Sequence, residues 1–241
     1  MVSKIGDRVF EEPAGKPEGM VPAEARRAVA MASIAAVLLG VSACGSEEAA
    51  GEEPLSISQL SRVVLTQGDA PGYKFFDESR AETDHSARAD RKACQPIMAL
   101  AIAPEISAYD KRSARQSIMK SKKPDASYQL ILTSVESESA AKDALTDLKS
   151  AVSACGSGFN VTYSGQKSKV RRVTADKASY GHSEVNILFE YQMGAKIRYV
   201  VMRQGATLIR ISAATQNAHE FVAVPKQIID KQFRKLEKVA K

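Results

Sequence analysis

The chain of 241 residues has no tryptophan, three histidines and three cysteines, and these shortages exclude most of the chemistry that a sequence can announce. His85, His182 and His219 stand in no metal-ligand spacing with one another or with a cysteine. No Cys-x-x-Cys pair is present, so the redox motif read from that spacing is missing too. Ser157 lies in Gly156-Ser157-Gly158, short of the Gly-x-Ser-x-Gly nucleophile elbow, and reads as the turn that ends a helix. His85, among Asp84, Arg88 and Asp90, reads as a solvated loop histidine, and His182, after Gly181, as a turn residue. There is no phosphate-binding loop, dinucleotide fingerprint or calcium loop. The expectation is a protein that is not an enzyme and has neither metal nor cofactor. The longest apolar run, Ala28–Ala43, has sixteen residues, short of the roughly 20 that span a bilayer.

That short run is nevertheless the most informative stretch. Arg26 and Arg27 precede it, small residues close it in Val41-Ser42-Ala43-Cys44, and acidic Glu47 and Glu48 follow. A charged head, a short apolar run and small residues before the cut describe a secretory signal. With a cysteine at the cut, the segment resembles the lipobox of bacterial lipoproteins. The resemblance implies that Cys44 receives a diacylglycerol, that the signal is removed, and that the protein is held on the outer face of the cytoplasmic membrane. The residues around the arginine pair match the twin-arginine export signal poorly. Residues 1–25 fit no part of a signal, and Met20 would start one of ordinary length. The expected organisation is therefore an N-terminal extension and signal over 1–43, a lipidated acidic tether over 44–54, and one folded domain over 55–241. The tether offers nothing to bury. Its four glutamates set it apart from the domain, which carries 29 Lys/Arg against 19 Asp/Glu.

The 187 residues of the domain are enough for one good core. Their pattern predicts an α+β fold with helices packed on an antiparallel sheet. Ser56 to Thr66 has helical spacing with Ser56 as cap, Tyr73 to Phe76 reads as a short strand, Glu78 to Asp90 as irregular, and Arg91 to Ile102 as a helix carrying Cys94. Ser113–Lys120 and Ser127–Val135 read as strands joined at Lys122-Lys123-Pro124-Asp125. Ser137 to Ala154 is a helix with one apolar stripe, stopped at Gly156. Phe159–Tyr163 and Val170–Thr174 read as extended. A three-strand meander follows at Glu184–Tyr191, Lys196–Arg203 and Thr207–Ala213, with Gly194 and Gly205 at its connections where φ > 0 is needed. Asn217 to Lys241 is amphipathic, with Pro225 starting or kinking its helix.

Once Cys44 is lipidated, Cys94 and Cys155 remain as an even pair in an oxidising compartment, where such a pair forms a disulfide. The alternative is a redox or nucleophilic thiol pair.

In the order of its segments the domain resembles the PknH-like extracellular domain, found in mycobacterial receptor kinases and actinobacterial lipoproteins. The matching residues are Leu60-Ser61-Arg62-Val63-Val64-Leu65 through Asp69-Ala70-Pro71-Gly72, Cys94 in the next helix, and Ala140-Ala141-Lys142-Asp143-Ala144-Leu145 leading to Cys155. Arg203-Gln204-Gly205-Ala206-Thr207-Leu208-Ile209-Arg210-Ile211 and the terminal helix complete them. The kinase domains carry two disulfides and a Trp before a helix-ending Cys; here one pair is available, and Ser153-Ala154 precede Cys155. The Mog1/PsbP-like lipoproteins share the sheet-and-helix layout. The resemblance implies a sensor-like, ligand-binding domain without catalysis.

Basic residues are the remaining candidates for contact. Lys167, Lys169, Arg171 and Arg172 crowd one segment, and Lys231, Arg234, Lys235 and Lys238 form an outward row on the terminal helix. Location and the lack of interleaved aromatics exclude nucleic acid. An anionic membrane or wall polymer fits them, beside the plain alternative of a solvated face. The reading is thus a membrane-anchored lipoprotein that binds or senses a ligand or an envelope component. The alternatives are a structural accessory gripping wall or membrane through its basic face, and an extracytoplasmic hydrolase.

Overall fold

In the computed structural model, residues 54–78, 87–102, 112–122, 125–163, 165–215 and 219–239 are described. The arginine pair, the apolar run, Cys44, the tether as far as Glu53, His85, Lys123, Pro124 and Asn217 lie outside them.

Ser56 starts helix α1 (Ile57–Val63) with a reciprocal cap: its Oγ accepts from Gln59 N at 3.3 Å and its own N donates to Gln59 Oε1 at 2.8 Å. The helix stops three residues short of the expected Thr66. The buried Gln232 side chain takes Val63 O (2.9 Å) and Leu65 N (3.1 Å), the groups a further turn would have used. Strand β1 (Tyr73–Asp77) follows. The segment expected to be irregular contains a short strand, β2 (Ala87–Ala89), since two alanines can cover the core beneath them while Arg88 faces water. The single helix expected over Arg91–Ile102 is a 3-10 turn (Lys92–Cys94), a one-turn helix α2 (Gln95–Ile97) and a π turn (Met98–Ile102).

Then come β3 (Ser113–Lys120), β4 (Ala126–Ser134), α3 (Glu138–Ala154), β5 (Phe159–Tyr163), β6 (Gln166–Ala175), β7 (Glu184–Tyr191), β8 (Lys196–Gln204), β9 (Thr207–Thr215) and α4 (Lys226–Glu237). Ser137 Oγ caps α3 by accepting from Ala140 N at 3.1 Å, and the expected stripe from Ala141 to Val152 is buried. Behind α3 the left-handed position is Gly158 (φ +85°), not Gly156. A Cβ there would collide with the carbonyl oxygens of Val170 and Arg171, so only glycine fits. Helix α4 begins after Pro225, so the proline sets its N-terminus and does not kink it.

All nine strands form one antiparallel sheet in the order β1-β3-β4-β9-β8-β7-β6-β5-β2. Helices α1 and α4 bury a first face with Ile118, Leu130, Leu132, Val200, Met202, Ile209 and Ile211. Helix α3 and the Lys92–Ile102 stretch bury the second face with Val161, Val170, Ile187, Phe189, Tyr199 and Val201. The two layers are offset. On the first face, cover reaches β1, β3, β4, β9 and β8; on the second it lies over β9, β8, β7, β6, β5 and β2. Central strands are therefore covered on both sides, which explains why Val200 and Met202 are 0% exposed beside Tyr199 and Val201. Cys94 and Cys155 are bonded within the second-face core, with Cα atoms 5.9 Å apart, and so join the turn before α2 to the end of α3.

Candidate functional site

The offset leaves one half of the first face open, and β6 fills it with positive charge. Val170 and Val173 both point into the second-face core although they are three residues apart. The register skips between Val170 and Arg172, a bulge that absorbs the extra residue. Lys167, Lys169, Arg171 and Arg172 are all exposed. Pairing sets Arg88, Thr162 and Lys167 side by side across β2, β5 and β6, then Asn160 beside Lys169, then Arg172 beside Glu190 and Lys196. Directly paired residues share a face, so these cations line one side of the sheet. The side chains of Arg88, Lys167, Lys169, Arg171 and Arg172 make no ion pair or hydrogen bond among the described residues. Lys196 lies 5.5 Å from the Phe221 ring centroid. Two carboxylates stand nearby: Glu190, opposite Arg172, and Asp90, which accepts from Asn160 N (3.1 Å) and Nδ2 (2.7 Å).

Helix α4 covers the other half of the same face, so its outer residues and the β6 cations lie on one side of the sheet. Arg234 and Lys238 are exposed and Lys231 is half-buried. Lys235 differs from the outward row in which the sequence places it. Its Nζ donates to Asp69 Oδ2 at 2.7 Å and Val64 O at 2.9 Å, holding α4 to the turn after α1.

A cleft of about 510 Å³ between α4 and the β6–β7 loop is lined by Ser179, His182, Asp230, Phe233, Arg234 and Glu237 among others. A serine, a histidine and carboxylates thus share one cleft, yet they are not linked. The His182 ring lies flat on Phe233, centroids 3.5 Å apart and planes 7° from parallel, and Asp230 pairs with Lys226 at 2.5 Å. Ser157 is exposed in the turn after α3. Among the described residues no group of His, Cys, Asp and Glu is arranged to hold a metal.

No family model matches the chain, and no curated protein matches it. The extracellular domain of PknH from Mycobacterium tuberculosis superposes with a TM-score of 0.51 at 11% identity, over 78% of this chain and 98% of that one. The chain has a PknH-like fold. A protein of Mycobacterium smegmatis described as uncharacterized, the Rv0999 ortholog, aligns over 76% of this chain and 97% of its own at 7% identity, with a TM-score of 0.32, too distant to carry an argument.

One feature of this PknH-like fold escaped the sequence reading. Across the second face of β3, β4 and β9, Glu78 accepts from Ser117 and from Gln129 Nε2 (2.7 Å), and Gln129 Oε1 accepts from Arg210. The Arg210 guanidinium stands 5.7 Å from the Tyr199 ring centroid, and Tyr199 OH is 3.5 Å from Tyr191 OH. Burial, with Tyr199 beside it, pushes the Tyr191 hydroxyl well above the usual tyrosine range. The available signal was a polar residue recurring at alternate positions of otherwise apolar strands, and only the pairing shows that these residues meet.

Proposed function

We propose that the protein is a lipid-anchored extracytoplasmic lipoprotein, without catalysis, that binds or senses an anionic component of the cell envelope. The observation that carries this reading is the open half-sheet with exposed Arg88, Lys167, Lys169, Arg171 and Arg172, whose side chains have no ion-pair partner among the described residues. Charge next to an anionic surface contributes about 1 kcal/mol per Lys or Arg, so affinity comes from their number. The signal ending at Cys44, the buried Cys94–Cys155 bond and a fold shared with an extracellular domain support the location. Membership of the actinobacterial lipoproteins and the division at residues 43 and 54 belong to the same reading. A cleft in which His182 stacks on Phe233 favours a second one, capture of a small ligand there.

The test is binding of the purified full-length lipoprotein to immobilised wall teichoic acid and to anionic lipid as salt rises. The triple variant Lys167→Glu/Lys169→Glu/Arg172→Glu is expected to lose most of the affinity and most of the salt dependence. Undiminished binding by the triple variant would refute the assignment to this face.

A further inference from the structure

We infer that the open half of the first face is a bilayer-docking surface, on which Arg88, Lys167, Lys169 and Arg172 rest against anionic headgroups of the membrane that holds Cys44. This deepens the function proposed above and rests on its lipid-anchored, anion-binding reading.

The shape of the patch favours a membrane over a polymer. The cations share one surface: β2 and β6 lie two strand spacings of about 4.8 Å apart, and Lys167 to Arg172 run about 15 Å along β6. A flexible chain needs no such plane; a headgroup layer presents one. Asn160 and Thr162 stand beside Arg88, Lys167 and Lys169, with Glu190 opposite Arg172, so contact along β2, β5 and β6 is polar and stays at headgroup depth.

The path of the chain points the same way. Leu55, the first residue after the tether, packs on the first-face core beside α1, so the chain leaves the domain on the side that carries the cations. The ten residues 45–54 reach at most about 35 Å, short enough to keep the domain near the layer in which Cys44 would be anchored. The other side is less one-signed: on α3, exposed Lys142 and Lys149 are balanced by exposed Asp143 and Asp147, and Arg91 and Lys92 are the exposed cations of the turn before α2. Electrostatics thus selects one orientation on an anionic layer.

Amine acetylation read by mass spectrometry tests the orientation directly. The lipidated full-length protein is placed in liposomes of phosphatidylcholine alone, or of phosphatidylcholine and phosphatidylglycerol in equal parts, with Lys142 and Lys149 as internal references. With phosphatidylglycerol, Lys167 and Lys169 are expected to be modified at least about fivefold more slowly, a protection lost when salt shortens the Debye length to about 3 Å. The variant Arg88→Glu/Arg172→Glu is expected to abolish that protection while Lys142 and Lys149 react as before.

Equal modification of both lysine pairs on phosphatidylglycerol liposomes overturns bilayer docking. In that case, wall teichoic acid protecting Lys167 and Lys169 on phosphatidylcholine liposomes leaves the anion-binding reading standing, and no protection there removes it as well. Protection on phosphatidylcholine without added polymer makes the tether glutamates the occupant and also overturns docking. Release of the protein from phosphatidylcholine by a salt wash removes the anchor, and the proposal with it.

Discussion

Asp69 shows how much one side chain can hold. Its Oδ2 accepts from Thr66 N at 2.8 Å, Thr66 Oγ1 at 3.1 Å and Lys235 Nζ at 2.7 Å, so a single oxygen closes the turn after α1 and ties it to α4. Partial burial pushes the Asp69 carboxyl up, but the bonds and charge from Lys235 and Thr66 outweigh it and hold the group below the usual 3.8. A carboxyl with a lowered folded-state value contributes stability that is present above the unfolded value and lost as pH falls through the folded one. Stability is therefore expected to decline below about pH 4, more steeply in the parent than in Asp69→Asn. Urea unfolding across this range checks it, and equal slopes would count against the ion pair. The caps at Ser56 and Ser137 were legible in the sequence because capping is local. The inward turn of Lys235 was not: helical periodicity places it outside, but four methylenes let the ammonium reach back along the helix surface.

At the scale of elements, the ends of the sheet are closed by side chains. Gln67 lies along the outer edge of β1, its Nε2 donating to Tyr73 O (3.4 Å) and its Oε1 accepting from Phe75 N (3.2 Å). Gln95 does the same on β2, with Ala87 O (3.4 Å) and Ala89 N (3.1 Å). Each primary amide turns one N–H donor and its carbonyl acceptor to the strand, as a neighbouring strand would, and so blunts an edge that otherwise templates strand addition. Removing this cover with Gln67→Ala opens β1, where Phe76 is already 49% exposed. The expected outcome is concentration-dependent association, read by size-exclusion chromatography with light scattering; a variant that stays as monodisperse as the parent would show the amide to be dispensable. Most elements could be read from period and punctuation, down to the positive φ of Gly194 and Gly205. The exceptions have separate causes. β2 is too short to show a period, α1 is ended by a distant partner, Gln232, and in the Lys92–Ile102 stretch Pro96 stands in the first turn of α2.

At the scale of the molecule, the disulfide links residues 61 apart in sequence, across the second-face core. Cross-linking a loop of that length removes unfolded-chain entropy, and its loss costs about 2–5 kcal/mol. Cys94→Ala/Cys155→Ala is accordingly expected to unfold at clearly lower urea with a similar core once folded; an unchanged midpoint would show the bond to be redundant. Alternation puts Ile187 and Phe189 on one face of β7 and Tyr199 and Val201 on one face of β8; register joins these four on the second face and puts Ile209 and Ile211 of β9 on the first. Periodicity reports which residues alternate; which face a neighbouring strand presents depends on register, and here both faces are buried at the centre.

The sequence by itself determined the α+β class, the caps at Ser56 and Ser137, the antiparallel meander, Cys94 and Cys155 as an even pair and the basic character of β6. Each follows from composition or from interactions between near neighbours in the chain. Tertiary structure alone decided the strand order, the offset of the two helix layers and the exposure of the β6 cations on the side where Leu55 enters the core. It also joined Glu78, Gln129 and Arg210 and drew Lys235 inward. These depend on contacts between residues far apart in sequence, and a local pattern holds no information about which remote surface will cover it.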